Sequence, residues 1–221
     1  SYARCSPLTM KIHSVINKSF QTRKGASVLV ESARDMGWVV ELMEVGPEWH
    51  MWKKPMKVDD RLGKIPQDML FIYCDALDVE VRISPDDFCT AYKRHFEGKA
   101  VFNGEVNQTV WLDKSPIDYK PHMIAPGPLS YLNAGVFFGR VYALREVVNA
   151  WVENLIPHEE YYTASKYGCD QAPLLHTWSE NKDLPIVVDW KGTLTLATRG
   201  LGKHPLTRTV PILHRNERTA A

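Results

Sequence analysis

Residues 69–73 (MLFIY) run directly into Cys74-Asp75-Ala76-Leu77-Asp78-Val79, so a buried strand delivers two carboxylates to its own end. No other feature restricts the chain more. Carboxylates are costly to desolvate, and two close together repel unless a cation lies between them. In an open α/β sheet, ligands bind just beyond the carboxyl ends of the strands, where Asp75 and Asp78 would project. On this stretch alone two readings stand level. One is a divalent-metal site for a phosphate-bearing ligand, and the other is a polar turn in which Asp78 caps the next element.

The flanking pattern supplies the sheet. Residues 10–16 (MKIHSVI) read as a first strand ending at Asn17-Lys18-Ser19. Residues 22–36 have helical spacing through Val28, Leu29 and Ala33, and Gly37 is a plausible stop. Residues 38–45 (WVVELMEV) form a second strand, closed by Gly46-Pro47. The Trp-, Met- and Lys-rich stretch 48–59 reads as a loop, with a short helix at 60–64. This β-α-β-α-β rhythm predicts an α/β fold with a parallel sheet and right-handed crossovers.

Further along, residues 86–96 predict a helix with Ser84 as N-cap and Pro85 in its first turn, followed by a short strand at 99–103. Periodicity is lost over 104–128, and an irregular stretch of that length inside a compact domain is usually a functional loop. Residues 131–139 then read as a strand with a small-residue break at Asn133-Ala134-Gly135, and 141–155 as an amphipathic helix. Another helix starts at Cys169-Asp170-Gln171 and ends near Trp178; strands are expected at 185–189, 193–196 and 210–214. With no repeats and no linker, one domain over 10–221 is the economical reading. Residues 1–9 would be a disordered arm or an expression remnant.

Charge and composition exclude some roles. The net charge of +1 over 221 residues argues against general nucleic-acid binding, which needs a clustered basic surface. No apolar run approaches the roughly 20 residues of a membrane-crossing helix. The four cysteines (Cys5, Cys74, Cys89, Cys169) are scattered without zinc spacing. Cys74 and Cys89 sit in apolar surroundings and read as buried thiols, which predicts a reducing, cytoplasmic compartment.

The strings FIYCDALDV, KAVFNGE, YLNAGVFFGR, GCDQ, VVDWKG and PILHRNE, in that order over residues 10–216, resemble the glycosyltransferase domain of the lysyl hydroxylase (procollagen glucosyltransferase) family. The resemblance implies a GT-A fold, in which a Rossmann-like, mostly parallel sheet is flanked by helices, and a donor that is a nucleotide diphosphate sugar. Its metal would be held by the D-x-x-D pair Asp75 and Asp78 with the late His214. Two hard carboxylate oxygens and one imidazole suit Mn²⁺ (or Mg²⁺) and leave positions for diphosphate oxygens. Asn133, Ala134 and Gly135 would face the donor, with Gly135 allowing close backbone approach. A structural reading of Gly135, as a bend required by packing, stands beside that one.

Asp170 in the G-C-D-Q element would act on the acceptor hydroxyl or at the anomeric carbon, with Gln171 beside it on the donor. An aspartate before a helix is also a favoured N-cap. Glu105 and Trp111 fall where the family places a strand-end acid and a loop aromatic, which assigns them to the acceptor. Asp189, with Trp190, falls at a strand end where a structural role fits. By topology Ser14 and Asn17 would lie beside base and ribose, and Lys57 or Arg61 would reach a phosphate. The family's uracil-stacking aromatic is Leu77 here, which bears on base preference.

The reading is therefore a metal-dependent glycosyltransferase using a UDP-linked donor and a glycan or glycoprotein hydroxyl acceptor, with retention favoured. The alternatives are a non-catalytic sugar- or nucleotide-binding module of the same fold and an Asp-nucleophile phosphohydrolase. The latter places its second aspartate two residues on, whereas the spacing from Asp75 to Asp78 is three.

Overall fold

The computed structural model describes residues 10–17, 25–46, 49–106, 120–155, 170–201 and 204–215, apart from the side chains of residues 17 and 25–27. Trp111 and Cys169 lie outside that set, as does the side chain of Asn17. The first half builds the expected β-α-β-α-β unit: β1 (Lys11–Asn17), α1 (Gly25–Asp35), β2 (Val39–Val45), α2 (Lys54–Leu62) and β3 (Leu70–Cys74). β1 pairs in parallel with both β2 and β3. Gly37 adopts φ 85°, so the stop after α1 uses a conformation that glycine reaches without a Cβ clash.

The second half comprises β4 (Val79–Val81), α3 (Pro85–His95), β5 (Ala100–Glu105), β6 (Tyr131–Arg140), α4 (Val141–Leu155), α5 (Gln171–Glu180), β7 (Ile186–Asp189), β8 (Thr195–Ala197), α6 (Leu206–Thr209) and β9 (Ile212–His214). Among the described residues one sheet runs β2-β1-β3-β6-β5-β8-β9-β4, with β7 also pairing β5. Most pairings are parallel, but β6 is antiparallel to β3 and β5, and β4 to β9. The Ser84 cap is present, its hydroxyl accepting from the Asp87 amide at 3.2 Å.

Side chains alternate across each strand, and this alternation divides the core. Phe71 and Tyr73 of β3 face a layer with Val58, Leu62, Val148, Trp151 and Leu175, contributed by α2, α4 and α5. Leu70, Ile72 and Cys74 face the opposite layer, with Leu29, Phe88 and Tyr92 of α1 and α3. Every residue of β3 is buried, as its uninterrupted apolar run requires.

Two expectations are corrected. Most of the stretch expected as a loop over 48–59 is helical: a short 3-10 turn, Met51–Lys53, leads into α2, with Pro55 in its first turn. Val58 and Leu62, four residues apart, are fully buried and anchor this helix. Cys74 is a free buried thiol as expected, but Cys89 is disulfide-bonded, its partner lying outside the described residues. The cysteine argument for a reducing compartment loses that support. No described helix is long and apolar enough to cross a membrane.

Candidate metal centre

The chain path that assembles the candidate ligands begins at the end of β3. There the Asp75 amide donates to the Gly135 carbonyl at 2.8 Å, which fixes its carboxylate just past the sheet. Beyond Asp78 the chain enters β4, whose Val79 is the register partner of His214 on β9. The Arg215 amide donates to the Asp78 carbonyl at 2.6 Å and closes that ladder. Asp75, Asp78 and His214 thus converge, with one ligand atom from each lying within 4.8 Å of the others. His214 Nε2 is 3.3 Å from Asp78 Oδ1 and 3.9 Å from Asp75 Oδ2.

A buried cation completes the group. Lys54, 1% exposed, enters from the start of α2. Its Nζ lies 2.9 Å from Asp75 Oδ1, pairs with Asp170 Oδ2, donates to the Ala134 carbonyl at 3.3 Å and sits 5.0 Å from the centre of the Tyr73 ring. The Tyr73 hydroxyl also donates to Asp75 Oδ1 at 3.1 Å. Asp75 is therefore divided: Oδ1 serves the lysine and the tyrosine, while Oδ2 faces His214.

Burial alone would neutralise Lys54, but Asp170 and Asp75 outweigh it and hold the ammonium charged well above its ordinary range. Burial lifts the Asp75 carboxyl above the usual carboxylate range, against the opposing pull of Lys54 and His214. Burial also disfavours the charged imidazole of His214, yet Asp78 and then Asp75 reverse that and raise its pKa. Three carboxylates thus surround one lysine and one histidine, an excess of negative charge that a divalent cation would offset. The donor set, two carboxylate oxygens and an imidazole nitrogen at mutual ligand distance, fits Mn²⁺ or Mg²⁺.

Behind the ligands the small-residue break in β6 is a wide bulge. Phe102 pairs with Phe137, but the next residue, Asn103, pairs with Asn133, so 134–136 leave the β5 ladder. The opened space takes the imidazole. A Cβ at Gly135 would lie 2.1 Å from His214 Cε1 and 2.6 Å from Nδ1. Gly135 is small because the histidine occupies its side-chain volume, which is the packing reading of this glycine.

Several residues expected to face the donor or acceptor are committed inside the protein. Ser14 is fully buried and its hydroxyl donates to the Cys74 carbonyl at 2.6 Å. Gln171 accepts from the Ala134 amide at 3.2 Å and donates to Glu105 at 3.1 Å. Glu105 is fully buried, and burial pushes its carboxyl above the usual range against the donors Gln171 and Asn133. Asp170 makes no side-chain cap to α5, because its carboxylate goes to Lys54.

Arg61 is brought to Glu41 on β2 at 2.8 Å, whereas Lys57 lies half-buried on α2, three residues beyond Lys54. Leu77, 38% exposed, stands between Asp75 and Asp78 in the chain. Asp189 is structural: its carboxylate accepts from the amides of Thr193, Leu194 and Thr195 at 2.7–2.9 Å.

Sequence reasoning does not find Lys54, Tyr73 or Asn103. A lysine beside a proline in a mixed stretch carries no local sign of burial. An asparagine ending the apolar run AVF does break the strand pattern, and that is the one local signal for Asn103.

No family model matches the chain, and no curated protein matches it in sequence. Among solved structures, the chain is similar to a glycosyltransferase involved in the glycosylation of the major capsid of PBCV-1. The two share 14% identity with a TM-score of 0.57, over 94% of this chain and 93% of that one. The fold is GT-A-like. Within such a fold the carboxyl edge of β3, where the three candidate ligands meet, is the ligand-binding edge of the sheet.

Proposed function

We propose that the chain is a glycosyltransferase that moves a sugar from a UDP-linked donor to a hydroxyl of a glycan or glycoprotein, with retention, using Mn²⁺ or Mg²⁺. The observation that carries this reading is the convergence of Asp75, Asp78 and His214 at the strand ends of a GT-A-like sheet. When bound, the cation would act as a Lewis acid toward the departing diphosphate.

The chain's own groups do the rest. Asp75 divides its oxygens, so Lys54 holds one while the other is free to face a cation. Lys54 also fixes Asp170, which offsets positive charge developing at the anomeric carbon. Lys57 lies on the same helix and supplies a second cation for the diphosphate. The exposed Leu77 packs against the pyrimidine face, and Trp111 offers a ring to the acceptor sugar.

Calorimetric titration with UDP, with and without Mn²⁺, tests the reading on wild type and on Asp75→Ala. UDP binding that needs Mn²⁺ and is lost in the variant is the expected result. Metal-independent binding of free sugar alone would instead identify a non-catalytic sugar-binding module.

A further inference from the structure

The family resemblance places Asn133 against the donor, yet its side-chain amide is engaged inside the protein. Its Oδ1 accepts from the Gly135 amide at 2.9 Å, which leaves no choice of orientation, since a backbone N–H can only donate. Its Nδ2 accordingly donates to Glu105 Oε2 at 3.2 Å. Oδ1 also lies 3.1 Å from Nδ1 of His214. An oxygen there can only accept, so Nδ1 must carry a hydrogen.

Asn103 adds a second acceptor on the same nitrogen. With its nitrogen donating to the Val136 carbonyl at 3.2 Å, its oxygen faces His214 Nδ1 at 3.3 Å. The opposite ring nitrogen, Nε2, is the one that faces Asp75 and Asp78.

We propose that Asn133, anchored by Glu105 and assisted by Asn103, is a positioning residue of the metal site: it holds His214 with the proton on Nδ1 and so turns the Nε2 lone pair toward the cation. The proposal rests on Asp75, Asp78 and His214 being metal ligands, and it moves Asn133 from the donor pocket to the outer shell of the metal. Outer partners of this kind fix ring tautomer and orientation, and losing one typically weakens metal binding about 10- to 100-fold. Asn133 would thus act on the metal even with no nucleotide present, which a donor-contacting residue would not.

The test is titration of the whole chain with Mn²⁺ alone, followed by the electron paramagnetic resonance signal of the free ion. Asn133→Ala is expected to weaken binding about 10-fold or more, and to cause no further loss when added to His214→Ala. The near-isosteric pair Asn133→Asp with Glu105→Gln keeps an acceptor on Nδ1 and a donor beneath it, so it should bind within a few-fold of wild type. Unchanged Mn²⁺ affinity in Asn133→Ala, with binding still abolished in Asp75→Ala, overturns this proposal and leaves the metal site standing. A wild type that binds no Mn²⁺ overturns both.

Should Asn133→Ala fail to fold, the wild type decides. With ¹⁵N-labelled histidine and saturating Zn²⁺, His214 should show a protonated Nδ1 and a coordinated Nε2. A ring bound through Nδ1 overturns the assignment.

Discussion

At Gly135 one methyl group decides whether the His214 ring keeps its place. A Cβ there meets the His214 ring at 2.1 Å, too close for any rotamer adjustment of the new side chain's own making, so the imidazole must move. Gly135→Ala is expected to cost about 1–3 kcal/mol through overpacking and, if His214 is a ligand as proposed, to weaken Mn²⁺ binding more than about 10-fold, since the ring is displaced. Urea denaturation and Mn²⁺ titration on the same preparations check both; a variant with unchanged metal affinity would show that the ring has another place to go. The glycine itself is legible in YLNAGVFFGR as a break in a strand. Its occupant is not, because the histidine comes from a distant strand. Ser14, Ala134 and Gln171 teach the same lesson. In the sequence they read as ligand contacts; in the fold the Ser14 hydroxyl, the Ala134 amide and the Gln171 side chain also hydrogen-bond within the protein, a pairing that only tertiary structure reveals.

Among the elements, α4 and α2 mark the two extremes of legibility. α4 spans Val141–Leu155, the expected bounds, because its apolar stripe at Leu144, Val147, Val148, Trp151 and Leu155 is a local 3.6-residue period. The first two-thirds of α2 read as a loop in the sequence, with only its end inside the short helix expected at 60–64, because Trp, Met, Lys and Pro crowd its start. Its position nevertheless matters most, since Lys54 ties it to β3 through Asp75 and to the start of α5 through Asp170. Lys54→Met is expected to destabilise the protein by about 3 kcal/mol, the lower end for removing one member of a buried ion pair, because both carboxylates keep some solvent contact. Mn²⁺ should restore part of that loss by neutralising Asp75. Urea midpoints with and without the metal measure this. A variant as stable as wild type would mean that the two aspartates relax into water unaided.

For the molecule as a whole, one source of acid lability lies on β1, in the first strand of the sheet. His13 on β1 is buried, stacked on Phe71 at 4.4 Å, and its Nδ1 has no hydrogen-bond partner among the described residues. Burial pushes its pKa from 6.5 down to about 4, with Glu41 pulling the other way. The folded pKa is thus below the unfolded one. Its contribution to stability is complete above pH 6.5 and is lost as pH falls toward 4, by about 3 kcal/mol. His13→Phe keeps the stack and removes the titration, so wild type should lose that amount relative to the variant between pH 6.5 and 4. Urea denaturation across this range tests it, and parallel profiles would refute it. What the sequence by itself determined is the α/β rhythm, the buried β3 run and the placement of Asp75 and Asp78 at a strand end, because periodicity and capping act over a few residues. Only the tertiary structure decided that β6 enters antiparallel and bulges at 134–136, that β9 brings His214 to Asp78, and that Lys54 is buried among carboxylates. Each of these depends on register between segments far apart in the chain, and local patterning carries no record of that register.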